Sequence, residues 1–326
     1  MIKVTATETV FRLAGVFTIS RGSRTEARVV TVVVDDGAHS GIGECVPYAR
    51  YGETVDGVIA DIEGTAAKLG DDLSRDSLNA AMKPGAARNA FDCALWDLEA
   101  KKTGQRVWQL AGLSVPGAEI TAYTLSLADP DTMRKKAAEN AHRPLLKIKL
   151  GGDGDMERLK AVREGAPKTA IIVDANEGWD RAAYEELAPA LIELGVKMVE
   201  QPFPAGEDEA LRDIERVLPV CADESCHDRE SLAGLVGKYD LINIKLDKTG
   251  GLTEALLMRE EAIGLGFDIM VGCMVGSSLA MAPAVLVAQG AAYTDLDGPL
   301  LLAEDRNHPL TFDAAGIHPP ASQLWG

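Results

Sequence analysis

The chain has 326 residues, with 33 Lys and Arg against 50 Asp and Glu, so its formal net charge at pH 7 is −17. A chain this acidic is not expected to bind nucleic acid or an anionic membrane surface. No early apolar segment has the form of a signal peptide and no apolar run approaches the length of a membrane span, so we expect a cytoplasmic protein. The five cysteines form no CxxC pair, which indicates reduced thiols.

The amino-terminal part of the chain predicts an α+β domain. Residues 29–37 (VVTVVVDDG) are typical of a strand that enters a hairpin turn, and residues 41–48 (GIGECVPY) of a second strand. The apolar spacing of residues 55–69 and 86–103 predicts two helices. A separate module is expected here, because the barrel predicted from the rest of the chain needs only about 200 to 250 residues.

The rest of the chain repeats one pattern, a short apolar run followed by an amphipathic stretch. Apolar, non-alternating strands between helices predict a closed parallel barrel, whose active site lies at the carboxyl ends of its strands. We assign residues 1–115 to the first domain, 116–316 to the barrel and 317–326 to a tail that returns to the first domain. The predicted strands are ITAYT to Thr124, LLKIK to Lys149, AIIVD to Asp174, KMVE to Glu200, VCAD to Asp223, LINIK to Lys245, DIMVG to Gly272 and AAYTDLD to Asp297. The predicted helices are residues 156–165, 182–194, 211–217, 231–236 and 254–264.

Three consecutive predicted strands end in a carboxylate, namely Asp174, Glu200 and Asp223. On neighbouring barrel strands these side chains form one wall, and an oxygen-rich trio suits a hard divalent cation such as Mg²⁺. A single acid at a strand end is often a helix N-cap or an ion-pair partner. Three in consecutive units favour the metal interpretation.

Lysines end the strands on either side of this trio. Lys149 closes the second predicted strand and Lys245 the sixth, so the two face each other across the barrel axis. An amine with a lowered pKa suits general-base catalysis, whereas a plain ion-pair role is the structural alternative. Lys147 points to the same side as Lys149 and is expected to bind substrate, by placing positive charge near its carboxylate. The same charge is expected to lower the pKa of the base Lys149.

Several segments together resemble the enolase superfamily, in the muconate-lactonizing-enzyme-like group. They are KIKLGG, IVDANEGW, VEQPFP, CADES, NIKLDKTGG and DLDGP, and the resemblance covers nearly the whole chain. The DxD of Asp295 and Asp297 resembles the dipeptide epimerases, and SRGSRTEAR with GECVPYARYGET resembles their L-Ala-D/L-Glu epimerase subgroup. The resemblance implies a modified (β/α)7β TIM-type barrel with an N-terminal α+β capping domain.

The resemblance also implies a reaction and its cofactor. This is a 1,1-proton transfer at the α-carbon of the second residue of a dipeptide, with Lys149 and Lys245 acting on opposite faces. Mg²⁺ on Asp174, Glu200 and Asp223 stabilises the enediolate. Murein peptide metabolism is the implied setting and a dipeptide is the only implied partner, while homo-oligomerisation is left open.

The resemblance further implies that four residues bind substrate. Asp295 and Asp297 receive the free α-ammonium group, although an acidic turn has the same composition. Arg24, in a Gly/Ser-containing loop, binds the Glu side chain, with a solvated surface arginine as the alternative. Thr124, at the end of the first strand, contacts substrate through its hydroxyl.

Two other functions remain open. An N-acylamino acid racemase or an o-succinylbenzoate synthase of the same group shares the lysines and the metal but needs no acidic pair for a free amine. A non-catalytic metal-binding barrel is more remote, because it needs no opposed lysines.

Overall fold

A long β-hairpin opens the chain in the computed structural model, which describes residues 2–326. Strand β1 (Lys3–Ile19) pairs antiparallel with β2 (Gly22–Asp35), and β2 pairs with β3 (Ser40–Cys45). The turn between β1 and β2 consists of residues 20–21 alone. Strand β1 is not predicted from the sequence, because this edge strand buries only two of its residues and so lacks a clear apolar alternation.

Helices cover one face of this small sheet. Helices α1 (Val55–Leu69) and α3 (Ala86–Thr103) have the predicted bounds. Helix α3 lies between the sheet and the barrel and is buried throughout residues 86–98. Two shorter helices, α2 (Arg75–Ala81) and α4 (Val107–Leu110), complete the domain.

The close approach of β3 to α3 yields a stability prediction. A Cβ at Gly43 would lie 2.1 Å from the carbonyl oxygen of Ala90 and 2.8 Å from the backbone nitrogen of Ala94. The Gly43→Ala variant is therefore expected to lower the free energy of unfolding by about 1–3 kcal/mol, the usual cost of overpacking. Urea denaturation followed by circular dichroism measures this.

Gly64 provides the matched control. It lies on the exposed side of α1, and a Cβ there meets no atom within 4 Å. Gly64→Ala is expected to raise stability by roughly 0.5–1 kcal/mol, because glycine is unfavourable inside a helix. Equal urea midpoints for the two variants would contradict the packing argument.

Eight parallel strands form a second sheet, arranged in the order in which they occur in the chain. A parallel bridge between Thr121 and Thr294, with a hydrogen bond of 2.8 Å from Ala122 N to Thr294 O, joins the first strand to the last. The predicted barrel with a capping domain is thus confirmed. The strands are β4 (Tyr123–Leu125), β5 (Leu145–Lys149), β6 (Ala170–Asp174), β7 (Val196–Glu200), β8 (Val220–Ala222), β9 (Leu241–Ile244), β10 (Asp268–Gly272) and β11 (Tyr293–Asp295).

The helices of the barrel follow these strands, with two exceptions. Strand β11 is followed by a 3-10 turn (Gly298–Leu301), in agreement with the predicted (β/α)7β pattern. The predicted helix at residues 211–217 is wrong, since only a 3-10 turn (Glu209–Arg212) forms after β7. The α-helices are α5 (Pro130–Glu139), α6 (Asp155–Gly165), α7 (Arg181–Glu193), α8 (Arg229–Leu235), α9 (Leu246–Thr249), α10 (Leu252–Gly264) and α11 (Ser278–Val287).

In a helix at residues 211–217, backbone N–H groups would donate to the backbone carbonyl oxygens of this segment. Here an arginine side chain is the donor to one of these oxygens. Arg216 Nη1 donates to the carbonyl oxygen of Leu211 at 2.9 Å, and Arg212 Nη1 donates to that of Val236 at 2.7 Å. Pro219 disfavours helical geometry at the residue before it. The apolar residues of this segment therefore pack as part of an irregular connection between β7 and β8, and their spacing does not indicate a helix.

The carboxyl terminus contacts the capping domain. After the short strands β12 (Phe312–Asp313) and β13 (Gly316–Ile317), the indole of Trp325 is buried and its Nε1 donates to Cys93 O at 3.0 Å. Gly326 N donates to Asp97 Oδ1 at 2.8 Å. Both acceptors belong to α3, so the end of the chain helps to hold the capping helix against the barrel. None of the helices within residues 2–326 combines the length and apolarity needed to cross a membrane.

Candidate active site

The carboxyl ends of three barrel strands are aligned. Lys149 is the register partner of Asp174 across β5 and β6, and Asp174 is the partner of Glu200 across β6 and β7. Asp223 and Lys245 lie one residue beyond β8 and β9. All five side chains are buried at this end of the barrel.

The two lysines predicted to act as bases lie across the barrel from each other. Strands β5 and β9, which lead to Lys149 and Lys245, are separated by three strands in either direction around the eight-stranded ring. Each lysine contacts a carboxylate on its own side. Lys149 Nζ lies 2.6 Å from Asp174 Oδ2, and Lys245 Nζ lies 2.6 Å from Asp223 Oδ2.

Lys147 lies among the remaining carboxylates. Its Nζ is 2.6 Å from Glu200 Oε2, 3.2 Å from Asp174 Oδ2 and 2.7 Å from Asp295 Oδ2, and the side chain is only 1% exposed. Carboxylates from β6, β7 and β11 thus converge on one cation. This ammonium links the predicted metal ligands to the predicted amine-binding pair.

The donor set fits a divalent metal ion, although the side chains are not arranged around one. Within residues 2–326, no three His, Cys, Asp or Glu side chains are grouped closely enough to hold a metal. Glu200 Oε2 is buried and makes no hydrogen bond of good geometry, even though Lys147 Nζ lies near it. A buried carboxylate oxygen that faces a cation without a well-formed hydrogen bond, beside Asp174 and Asp223, suits a hard cation such as Mg²⁺. The assignment of these three residues as ligands stays a prediction.

The lowered lysine pKa expected from the sequence is not found at Lys245. Burial alone lowers its pKa, but Asp223 and Glu200 outweigh that effect and hold the pKa well above its usual value. Burial together with Asp174 raises the pKa of Glu200 to about 7. Lys245 can therefore act as a base only when another cation draws charge from its carboxylate neighbours.

The predicted amine-binding pair lies at the end of β11. Burial and the neighbouring Asp295 raise the pKa of Asp297 to about 7, and Asp297 Oδ2 accepts a hydrogen bond of 2.6 Å from Thr124 N. Asp295 Oδ1 is buried and has no hydrogen-bond partner in residues 2–326. Thr124 occupies the middle of β4 and not its end, because the strand continues to Leu125. The pair offers a free acceptor of the kind that an ammonium group needs.

Arg24 is not in a loop, as predicted, but on strand β2 opposite Phe17. Its guanidinium lies 5.7 Å from the Phe17 ring centroid and takes part in none of the ion pairs found within residues 2–326. Arg21, at the hairpin tip, is instead paired with Glu177 at 3.1 Å and with Glu224 at 2.6 Å. Of the two arginines, only Arg24 has a guanidinium available to a substrate anion.

One cleft brings the predicted bases and Arg24 together. Lys149, Lys245, Asp223, Arg24 and Tyr51 all line it, and its volume is about 50 Å³. A water molecule takes up about 30 Å³, so a dipeptide does not fit unless the walls move. The capping domain supplies one side of this cleft and the barrel the other.

The hairpin tip closes this cleft by binding the loop after β6. Ser20 Oγ and Arg21 Nη1 each donate to the carbonyl oxygen of Asn176 at 2.9 Å. Asn176 and Glu177 have φ angles of 45° and 65°, in the left-handed region that only some residues tolerate. The uncommon backbone conformation turns this carbonyl toward the capping domain, where the hairpin tip holds it.

Three buried polar residues of the site were missed. Lys248 Nζ donates to Asp223 Oδ1 at 2.6 Å and to Asp223 O at 2.7 Å, and Asn243 Nδ2 donates to Glu200 Oε1 at 2.8 Å. Glu224 accepts from Arg21 through Oε1, while its Oε2 is buried and unpartnered within residues 2–326. Asn243 lies two residues before Lys245, so the period of a strand signals that both face the barrel interior.

A larger groove of about 750 Å³ lies outside this site, beside the loops that follow β5, β6 and β7. Glu177, Trp179 and Phe203 are among the residues that line it, but none of the predicted catalytic or binding residues does. The smaller cleft, which the predicted bases line, is therefore the candidate active site.

Two family profiles match the chain and together span most of it. Residues 132–321 match "Enolase C-terminal domain-like", and residues 1–112 match "Mandelate racemase / muconate lactonizing enzyme, N-terminal domain". The L-Ala-D/L-Glu epimerase of Escherichia coli (strain K12) is 45% identical over 304 residues, which is 93% of this chain and 95% of that protein. The N-acetyl-D-glutamate racemase of a Pseudoalteromonas species is 44% identical over 301 residues, which is 91% of this chain and 95% of that protein.

Solved structures agree with this relationship. An enolase family member from Agrobacterium tumefaciens with homology to dipeptide epimerases, solved with sodium, L-Ala-L-Glu and an ordered loop, superposes with a TM-score of 0.98 at 58% identity over 100% of both chains. A dipeptide epimerase from Enterococcus faecalis V583, solved with Mg and L-Leu-L-Tyr, gives a TM-score of 0.90 at 28% identity over 99% of both chains.

Proposed function

This chain belongs to the enolase superfamily, and from that membership we propose that it is an isomerase that epimerises dipeptides of the L-Ala-D/L-Glu type. The reaction is a two-base 1,1-proton transfer at the α-carbon of the C-terminal residue, and Mg²⁺ is the cofactor. Breakdown of murein peptides is the proposed source of the substrates. The relatives named epimerases support the reaction, and the Agrobacterium structure with L-Ala-L-Glu supports the substrate class.

One observation carries this proposal, namely that two lysines from opposite sides of the barrel line a single cleft together with an unpaired arginine. Lys149 and Lys245 lie on opposite sides of that cleft, and Arg24 lies on its wall. A two-base reaction needs a proton acceptor on one face of the α-carbon and a donor on the other. A substrate with an acidic side chain at its second residue also needs a cation, which Arg24 provides.

The metal and the lysines divide the chemistry. When bound by Asp174, Glu200 and Asp223, Mg²⁺ stabilises the negative charge that develops on the substrate carboxylate as the α-proton leaves. Lys149 or Lys245 removes that proton, depending on the isomer, and the other lysine delivers one to the opposite face. The structures of relatives solved with Mg or sodium support a metal in this family.

Asp295 and Asp297 hold the free amine of the dipeptide in this proposal. The unpartnered Oδ1 of Asp295 is the available acceptor, and the hydrogen bond from Thr124 N fixes the carboxylate of Asp297. The hydroxyl of Thr124 is the remaining proposed substrate contact. This side of the site orients the substrate so that its α-carbon lies between the two lysines.

The test follows L-Ala-L-Glu in D₂O with Mg²⁺ by proton NMR. Loss of the Glu α-proton signal together with formation of L-Ala-D-Glu is expected. The same measurement with other dipeptides and with N-succinyl and N-acetyl amino acids defines the substrate class. A protein that binds Mg²⁺ but leaves every one of these substrates unchanged would contradict the proposal.

N-acylamino acid racemisation is a second candidate, favoured by the 44% identity to an N-acetyl-D-glutamate racemase. Such a substrate has the same carboxylates but no ammonium group. The cleft walls and the lysines suit a dipeptide and an N-acylamino acid equally well. The acidic pair of Asp295 and Asp297 is the feature that distinguishes the two substrates, because only the dipeptide has an ammonium group.

Asp297→Asn tests that distinction. An asparagine oxygen can still accept the hydrogen bond from Thr124 N. In an assay at a pH above the Asp297 pKa of about 7, where the carboxylate is ionised, the loss of negative charge is expected to raise KM for L-Ala-L-Glu by about tenfold, the value of a charge-assisted hydrogen bond. N-acetylglutamate, without an ammonium group, is expected to be racemised no more slowly by the variant than by the wild type. Steady-state kinetics on both substrates measure this, and equal losses on the two would remove the amine-binding role.

A further inference from the structure

We propose that Asn243 is a positioning residue that orients Glu200 as a metal ligand. The inference rests on the metal-dependent function proposed above and extends it to a side chain that contacts neither the metal nor the substrate. Asn243 lies on β9, the strand that leads to the base Lys245. The residue that orients one metal ligand and the residue that moves the proton therefore share a strand.

The hydrogen bond of Asn243 separates the two oxygens of Glu200. Asn243 Nδ2 donates to Oε1 at 2.8 Å, and both side chains are fully buried. This contact leaves Oε2 directed toward the Lys147 ammonium, at 2.6 Å and without hydrogen-bond geometry. One oxygen is thus fixed by a neutral donor while the other faces the place where a cation is held.

The amide of Asn243 is itself confined. Asn243 is the register partner of Met270 on β10. Farther along β10, a Cβ added at Gly272 would lie 2.6 Å from Asn243 Oδ1 and 2.8 Å from Nδ2. Because glycine has no side chain, position 272 leaves the space that the Asn243 amide fills. The amide therefore has little freedom to turn away from Glu200.

The backbone of Asn243 contributes to a second predicted ligand. Its carbonyl oxygen accepts from Lys248 Nζ at 3.0 Å, and the same ammonium donates to Asp223 Oδ1 at 2.6 Å. Two of the three predicted ligands, Glu200 and Asp223, are consequently held by contacts that pass through one residue. Partners of this kind, which hold ligands rather than the metal, typically change metal affinity or activity by about 10- to 100-fold when they are removed.

Asn243→Leu is the principal test, because leucine has a similar size and the substitution changes no formal charge. Mg²⁺ binding is measured by calorimetry on the full-length protein without substrate. We expect the dissociation constant for Mg²⁺ to rise by about 10- to 100-fold. At saturating Mg²⁺, kcat for L-Ala-L-Glu is expected to recover to within a few-fold of the wild type, which loss of a catalytic group does not allow.

Two further variants separate positioning from a general loss of stability. Lys238→Met removes a buried polar contact elsewhere, the ion pair with Asp208 at 2.7 Å, and is expected to lower Tm without changing Mg²⁺ affinity. Gly272→Ala keeps the asparagine but occupies the space of its amide, and it is expected to weaken Mg²⁺ binding as Asn243→Leu does. If Asn243→Leu does not fold, Gly272→Ala decides the question alone.

Mg²⁺ binding and epimerisation by the wild type separate a failure of this inference from a failure of the proposed function. The positioning role is overturned if Asn243→Leu or Gly272→Ala binds Mg²⁺ within about twofold as tightly as the wild type. It is also overturned if their Mg²⁺ affinity falls no further than that of Lys238→Met. Either result counts even if the wild type is an epimerase. A wild-type protein that neither binds Mg²⁺ nor epimerises dipeptides overturns the function itself, and the inference with it.

Discussion

Lys245→Ala and Lys149→Ala are each expected to abolish the interconversion of L-Ala-L-Glu and L-Ala-D-Glu, while each keeps α-proton exchange with solvent for one isomer only. The lysines approach from opposite sides of the cleft, so each isomer presents its α-proton to a different lysine. Loss of the base for one isomer leaves the other base in place. A general base contributes about 10²- to 10⁴-fold to a proton transfer, and the proposed two-base epimerisation needs both lysines.

The measurement follows each isomer separately in D₂O by proton NMR, with both variants and the double variant. We expect the two single variants to exchange opposite isomers and the double variant to exchange neither. Lys197→Ala is the matched control, because Lys197 lies on barrel strand β7 but is exposed near its amino-terminal end. Full activity in both single variants, or exchange of both isomers by one of them, would show that the two-base mechanism is wrong.

Arg24→Met is expected to lower kcat/KM for L-Ala-L-Glu by about 30-fold or more, since a desolvated charge pair that loses one partner costs roughly 2–5 kcal/mol. No carboxylate of residues 2–326 pairs with Arg24, and this arginine lines the cleft with both lysines. Dipeptides with an apolar second residue, such as L-Ala-L-Leu, make no such pair. Their kcat/KM is expected to stay constant or to rise, so Arg24→Met is expected to reverse the preference for an acidic second residue.

Arg28→Met provides the control for this substitution. Arg28 lies on the same strand, but it is exposed and pairs with Glu8 of β1 at 2.5 Å, outside the cleft. Its loss is expected to leave both substrates unaffected. A uniform fall of kcat/KM across acidic and apolar dipeptides in Arg24→Met would assign this arginine to folding or closure of the hairpin and not to recognition of the side chain.

Strands β5 to β9 and the residues at their ends could be predicted from the sequence, because each of these strands is a buried apolar run followed or closed by an ionisable side chain. The runs ending at Lys149 and Asp174 form strands with the predicted bounds. Asp223 and Lys245 fall just beyond their strands, yet they still point into the site, because the residue after a barrel strand remains at the barrel mouth. Local pattern therefore suffices for this part of the site.

The position of Arg24 could not be predicted in the same way. It depends on the pairing of β2 with β1, on a register shift between Arg12 and Phe17, and on a turn of only two residues. None of these leaves an apolar period in residues 22–28 of β2, most of which are exposed. The pKa of Lys245 was also beyond the sequence, because it is determined by which carboxylates of other strands lie within a few ångströms of the amine.

Asn243 shows an intermediate case. Its spacing from Lys245 predicts that both side chains face the barrel interior. The contact with Glu200, however, spans two strands and requires the absence of a side chain at Gly272. Sequence can therefore nominate such a residue, and only the assembled barrel identifies what it orients.

The group of charges around Lys147 has a consequence for engineering heat resistance into this protein. Charges removed from water lose hydration free energy that ion pairing does not always restore, and a buried ionic group is often less stabilising than apolar side chains of the same volume. Deeper in the barrel, Leu145, Ile172 and Met198 already fill the interior with such side chains. Apolar substitutions at the barrel mouth are therefore expected to raise the Tm of the protein but to abolish its turnover. Screens for thermal tolerance should be confined to exposed positions such as Gly64, and every hit should be checked for turnover.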